Sequence, residues 1–190
     1  SKEEFNEIGH GGNEQFGAMS YKPGFAINPL KFVNGITKYA VSKKLKIFEH
    51  SLVSKIDKNS NTYILRTKEG SVNTKKIVVA TNGFYQEGLV PQMNSRILPV
   101  ISNIIVTRKL TKNEIDLHHF KTFSPIANTK NLLYYYRKLP DNRILFGTRG
   151  DFIGSDQSNL DRSKIMEKFL KNIFPAWSDI SIEYNWRGLI

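Results

Sequence analysis

The stretch Ile77-Val78-Val79-Ala80-Thr81-Asn82-Gly83 runs a short apolar strand pattern straight into small polar residues and a glycine. Buried strands of a covered sheet read as continuous Val/Ile runs, and in open α/β sheets ligands sit beyond the strands' carboxyl ends. On that pattern Thr81, Asn82 and Gly83 stand at a ligand crevice; an ordinary strand followed by an Asn-Gly turn satisfies the same residues. The other motifs carry less chemistry. Gly9-His10-Gly11-Gly12 suggests a phosphate loop, but no apolar strand precedes it and no G-x-G-x-x-G spacing follows. His10, His50, His118 and His119 have no H-x-x-x-H pairing and no acidic partner at ligand spacing, so no metal site is expected. Arg149-Gly150-Asp151 spells an integrin-recognition tripeptide, a match that arises readily by chance.

The elements that must position such residues fit in 190 residues, enough for one or two small domains with a real core; 39% hydrophobic and 24% charged is ordinary globular composition. A formal charge of +11 and a pI near 9.7 suit an anionic partner. The charge is scattered, with short pairs at Lys43-Lys44 and Lys75-Lys76 and no long basic run, which reads as a solvated surface rather than a nucleic-acid arm. With no Cys the chain has no disulfide, thiolate metal site or sulfur-linked cofactor, and a cytoplasmic setting is compatible. No apolar stretch approaches the ~20 residues that span a bilayer. The start Ser1-Lys2-Glu3-Glu4 lacks a signal peptide's apolar core. The absence of an initial Met and the apolar end at Trp186-Arg187-Gly188-Leu189-Ile190 suggest a piece of something longer.

Residues 1–27, rich in glycine and polar residues, read as loop with at most a short strand. Asn28-Pro29 starts a helix of about fifteen residues, since Asn caps free amides and Pro at the first position loses no needed donor. Leu30, Val33, Ile36, Ala40 and Val41 form its apolar face. A strand at 46–49, an antiparallel meander through 62–67 and the Lys68-Glu69-Gly70-Ser71 turn, and a buried strand ending at Ala80 follow. Arg96 to Leu110 reads as a long strand broken by Pro99, and Thr111 to Phe123 as part helix, part loop. Leu132–Leu139 and Arg143–Thr148 flank Pro140-Asp141-Asn142, which predicts a hairpin. Asp161–Ile173 is amphipathic with Pro175 to end it, and Ile180, Ile182, Tyr184 and Trp186 alternate onto one face of a half-buried strand.

This string of elements resembles the amino-acid-oxidase-like (DAO) family of FAD-dependent oxidoreductases, which includes glycine, sarcosine and glutamylputrescine oxidases. Gly24-Phe25-Ala26-Ile27-Asn28-Pro29-Leu30-Lys31, Ile47 to Val53, Ile77 to Gly83, Asp141 to Gly147 and Trp186-Arg187-Gly188-Leu189 carry the likeness, in that order, over nearly the whole chain. The resemblance implies a mixed α/β (α+β) fold: a partial three-layer FAD-binding lobe over 28–90, and a substrate-binding antiparallel sheet domain with flanking helices over 1–27 and 91–190. It implies that Val53 pairs with the FAD adenine through its backbone, and that Ala80, Thr81, Asn82 and Gly83 pass the ribose and diphosphate. The hairpin looks like the sheet that covers the isoalloxazine. Alternation sets Tyr134 and Tyr136 on one face and Tyr135 and Arg137 on the other. If Tyr134 and Tyr136 face the flavin they shape the substrate pocket; otherwise they are strand packing. Arg149 is the first candidate for a cation that holds a substrate carboxylate or favours reduced flavin, the alternative being an ion pair with Asp151; Arg187 is the second.

The chain departs from the family's full pattern in lacking the strand, G-x-G-x-x-G turn and helix that hold the pyrophosphate, and the carboxy-terminal flavin segment. The expectation is an internal part of an oxidoreductase that oxidises a C–N bond of a small amine or amino acid by hydride transfer to FAD, and that alone binds FAD weakly or not at all. No side chain is singled out as a general base, because the cofactor carries the redox chemistry. A basic non-enzymatic module that binds nucleic acid or another polyanion, and an inactive truncated relative, are the competing readings.

Overall fold

The structure is a computed structural model that describes residues 1–150 and 154–190. In chain order its elements are α1 (Lys2–Ile8), α2 (Pro29–Ser42), β1 (Lys55–Asn59), β2 (Thr62–Arg66), β3 (Ser71–Thr74), β4 (Ile101–Thr107), α3 (Lys112–Leu117), β5 (Ile126–Ala127), β6 (Tyr134–Lys138), β7 (Ile144–Arg149), α4 (Asp156–Ile173) and β8 (Ile182–Leu189). They fall into two units, one of residues 1–26 and 100–190 and one of residues 27–99.

The smaller unit holds α2 and a three-stranded antiparallel meander in the order β1-β2-β3. Asn28 Oδ1 accepts the Lys31 amide at 3.0 Å and Pro29 opens the helix, so α2 begins where the cap signal puts it. Its predicted apolar face covers nothing: no α2 residue is buried. Two strand expectations fail in this unit. Residues 46–49 form no ladder, and neither does the Ile77–Ala80 run. Among the described residues β3 ends at Thr74 and pairs only with β2, so the segment meets no neighbouring strand there, and Val78 stays 89% exposed. A β run needs partners for its backbone groups and a face to bury, whatever its propensity.

The larger unit is built on a five-stranded antiparallel sheet, β5-β6-β7-β4-β8. The β6–β7 hairpin turns at Asn142, which sits at φ 65°, a left-handed conformation Asn tolerates. α4 crosses one face, starting five residues earlier than its apolar pattern because Ser155 caps it through the Ser158 amide at 3.1 Å. On that covered face Ile105, Tyr134, Tyr136, Ile144 and Phe146 pack with Met166, Leu170, Ile173, Phe174 and Trp177 in the main hydrophobic core. The first residues are helix rather than loop: Ser1 and Glu4 form a reciprocal capping box at α1.

β8 corrects the expected alternation. Tyr184 pairs with Val106 but Ile182 pairs with Thr107, so one extra residue is accommodated between them in a β-bulge. Ile182 therefore packs against the core while Tyr184 and Trp186 turn to the opposite, open face. One added residue reverses every side chain beyond it because the strand period is two.

Candidate functional site

The open face of the larger sheet is assembled by register. Ile104 opposes Gly147 on β7 and Trp186 on β8, and Gly147 opposes Tyr135 on β6. Directly paired residues share a face, so Ser102, Ile104, Tyr135, Leu145, Gly147, Tyr184 and Trp186 lie on the side that α4 leaves uncovered. Tyr184 and Trp186 are 48% and 44% exposed. The Arg143 guanidinium stands 5.0 Å from the centre of the Tyr184 ring and reaches Glu183 at 3.3 Å, a cation–π contact joined to an ion pair.

Tyr135 is fixed on this face at both its ring and its hydroxyl. Its ring lies across Gly147, where any Cβ would collide with it, and its hydroxyl is 2.6 Å from Ser102 Oγ. Ser102 Oγ also reaches the Thr148 carbonyl at 3.4 Å. A half-buried phenol fixed by a hydroxyl and a bare backbone presents a directed hydrogen-bonding group on an aromatic-lined surface.

Tyr134 and Tyr136, the pocket or strand-packing candidates, lie on the face that α4 covers, where Tyr134 also borders the cleft beside Arg149. Tyr134 stacks on Phe146 at 5.4 Å and Tyr136 does so at 5.8 Å, and burial pushes both phenols' pKa values up. The hairpin register decides this: Phe146 opposes Tyr136, and both must follow the core. Arg149 ends β7 opposite Ser102 and, with Leu132, Tyr134, Arg162 and Phe169, borders a cleft of about 190 Å³. Its alternative partner Asp151, and hence the tripeptide, lies outside the described residues. Arg187 is tied down, its guanidinium donating to the Ser155 carbonyl at 2.5 Å and to Asp156 at 3.0 Å, at the start of α4. It opposes Asn103, on the covered side.

In the smaller unit, Val53 is half-buried and its main chain makes no hydrogen bond among the described residues. Ala80, Thr81 and Asn82 are exposed. The Phe84 amide closes a turn on the Thr81 carbonyl at 3.0 Å, with Asn82 at φ 51°.

The family model described as FAD dependent oxidoreductase matches residues 1–190. The chain belongs to this FAD-dependent oxidoreductase family. It is 31% identical over 168 residues to a probable oxidoreductase, OrdL, of Haemophilus influenzae, covering 86% of this chain and 37% of that protein. It is 27% identical over 172 residues to the gamma-glutamylputrescine oxidoreductase of Escherichia coli, covering 90% and 39%. Among solved structures, glycine oxidase from Bacillus cereus superposes with a TM-score of 0.59 at 17% identity, over 82% of this chain and 42% of that one. This FAD-dependent oxidoreductase chain thus spans about two fifths of the curated relatives it matches. Its mixed helix and antiparallel-sheet architecture is the one it shares with glycine oxidase.

The residues present suit part of the family's cofactor. The unpaired Val53 backbone and the open turn at Thr81–Phe84 offer main-chain donors and acceptors of the kind an adenosine diphosphate moiety takes. The sequence holds no G-x-G-x-x-G for the pyrophosphate. Among the described residues no helix is long and apolar enough to cross a membrane, and no group of His, Cys, Asp and Glu could hold a metal ion.

Sequence reasoning missed Tyr135 and Ser102. The signal was present: counting outward from the Asn142 turn sets Gly147 opposite Tyr135, and a glycine facing a tyrosine across a hairpin marks the ring that lies flat.

Proposed function

We propose that the protein to which this chain belongs oxidises the C–N bond of a small amine or amino acid. A hydride leaves the carbon as the nitrogen lone pair closes the C=N bond, and the imine is then open to hydrolysis. FAD, when bound, would supply the hydride acceptor, with oxygen or another acceptor taking up the electron pair.

The observation that carries the reading is the open face on which the Tyr135 ring lies over the bare Gly147 with its hydroxyl at Ser102, and which Tyr184 and Trp186 extend on β8. A flat aromatic surface with one fixed phenol suits the cover of a planar ring system and a small polar substrate, excluding water around the transferred hydride. In this reading Tyr135 orients the substrate, with Tyr134 and Tyr136 supporting it from below, and Arg149 supplies positive charge for a carboxylate. Arg187 contributes by holding β8 to α4. Val53, Ala80, Thr81, Asn82 and Gly83 line the adenosine and diphosphate end of FAD.

The test is a flavin absorbance titration of this chain beside a form extended at both ends by its native flanking sequence. That is followed by turnover assays with gamma-glutamylputrescine and glycine, the compounds named for its relatives. Saturable flavin binding and amine-dependent flavin reduction in the extended form support the reading. An extended form that ignores FAD overturns it.

A further inference from the structure

The Gly9–Asn13 segment is threaded through the covered side of the larger unit, and its centre is a histidine with no exposed surface. The His10 ring is enclosed by Phe5 at 5.1 Å, Phe120 at 5.0 Å, Phe174 at 4.9 Å and Tyr136 at 5.5 Å. The Gly12 amide donates to His10 Nδ1 at 3.0 Å. That nitrogen is thereby an acceptor, so the ring proton sits on Nε2, facing Tyr136 Oη at 2.9 Å. Gln15 Nε2 donates to the same Tyr136 oxygen at 3.2 Å and stands 3.3 Å from His10 Nε2, so with the ring proton there its hydrogen goes to the phenol.

Main-chain bonds finish the attachment. The Gly11 amide donates to the His118 carbonyl, and the Asn13 amide to the Ile173 carbonyl, both at 2.7 Å; the Lys121 amide donates to the Gly9 carbonyl at 2.8 Å. A side chain at Gly12 would collide with Phe174 and the Ile173 carbonyl, so the fit requires glycine there. His118 repeats the arrangement. The Ala176 amide donates to its Nε2 at 3.1 Å, and its ring packs edge-on against Phe174 and Trp177.

We propose that Gly9–Asn13 is a proton-released latch: neutral His10 and His118 hold this segment on the aromatic core, and their protonation releases residues 9–13. The inference does not rest on the enzymatic reading. Two backbone amides each point their hydrogen at a ring nitrogen. A proton on either nitrogen sets donor against donor and puts a positive charge into an aromatic enclosure, the two costs that oppose a buried cation.

The charged neighbours do nothing to relieve it. Lys138 Nζ bonds the Phe120 carbonyl beside the cage, and Lys121 Nζ bonds the Glu7 carbonyl from the α1 side. Glu14 is occupied by Lys130, and Glu167 on α4 by Lys171. Asp116 and Glu114 on α3 face Lys138 and Arg108 respectively. No carboxylate touches either ring among the described residues. Burial, joined by the neighbouring His118, holds His10 down at about 4; burial also lowers His118, aided by His119 and opposed by its main-chain bonds with Gly11 and Phe174.

The sign follows from linkage. A histidine depressed in the latched state binds its proton more readily once released, so latching is fully present above the ordinary value near 6.5 and weakens as pH falls toward 4. In that window the latched-to-released ratio falls about tenfold per pH unit for His10, and more steeply where His118 titrates with it.

The experiment is amide hydrogen exchange of the full 190-residue chain between pH 7.5 and 4.5, corrected for the intrinsic rate, read at residues 9–13 and in β4 and β7. The expected result is selective loss of protection at 9–13 below pH 6.5, with the strands still protected, and a shallower profile in His10→Gln, where only His118 is left to titrate. Should that variant not fold, the histidine NMR titration of the natural chain decides. Depressed titration of His10 with Nε2–H at neutral pH supports the latch. Ordinary titration near 6.5, or protection at 9–13 that holds unchanged to pH 4.5, overturns it.

Discussion

Tyr135 Oη lies 2.6 Å from Ser102 Oγ, and the residue beneath the ring that spans from β6 to β4 is Gly147. The contact crosses an intervening strand, which is possible only because β7 presents bare backbone at that point. Gly147→Ala should therefore displace the ring and cost about 1–3 kcal/mol, the usual penalty for overpacking. Ser102→Ala, which keeps the space and removes one partner of a half-buried hydroxyl, should cost about 1 kcal/mol. Denaturant unfolding of the two variants checks the order. In the extended flavoprotein both should raise KM for the amine more than they lower kcat.

Arg187 separates a tethering role from a substrate role. Its partner Asp156 is fully exposed, so the ion pair itself contributes little, and the Ser155 carbonyl carries most of the attachment. Arg187→Ala should lower stability by about 1 kcal/mol and leave KM unchanged in steady-state assays. A tenfold rise in KM without a stability change would assign Arg187 to substrate instead.

Deleting Glu183 should be better tolerated than deleting a paired residue of β8, because Glu183 is the one the bulge accommodates. Ile182 then stays opposite Thr107 and Tyr184 opposite Val106, so Tyr184 and Trp186 keep the open face, whereas deleting Asn185 slips the rest of the strand by one and turns Trp186 toward α4 and Arg187 outward. Near-UV circular dichroism of the Asn185 deletion should show lost aromatic order, whereas the Glu183 deletion should retain it.

Acid should expose a second, separate limb. The Arg108 guanidinium grips Glu114 at 2.6 and 3.1 Å, and with the Thr111 amide it holds that carboxyl down at about 2. A depressed carboxylate contributes stability that is complete above its ordinary value near 4.5 and lost as pH falls through 2. Thermal melts from pH 5 to 2 should show this limb in the natural chain and a shallower one in Glu114→Gln. Loss of the Arg108 ion pair lowers the variant's plateau at neutral pH, while the Gln side chain keeps an oxygen for the α3 capping box.

What the sequence determined by itself was local or serial. Asn28-Pro29 marks the start of α2, Pro140-Asp141-Asn142 the hairpin, and the order of segments the family. Each depends on residues a few positions apart, where caps, turns and φ limits act. Tertiary structure decided which side each strand shows. Tyr134, Tyr135 and Tyr136 are the same residue type, and only the α4 face made the first and third core. Only a residue inserted at the β8 bulge moved Trp186 into the open. The Ile77–Ala80 run shows the converse, since apolar residues with strand propensity stay unpaired where no neighbouring strand supplies hydrogen bonds and no layer covers them. His10 was visible only as a polar residue among glycines. Its burial is a long-range property, set by Phe120, Tyr136 and Phe174 converging from distant positions on one ring.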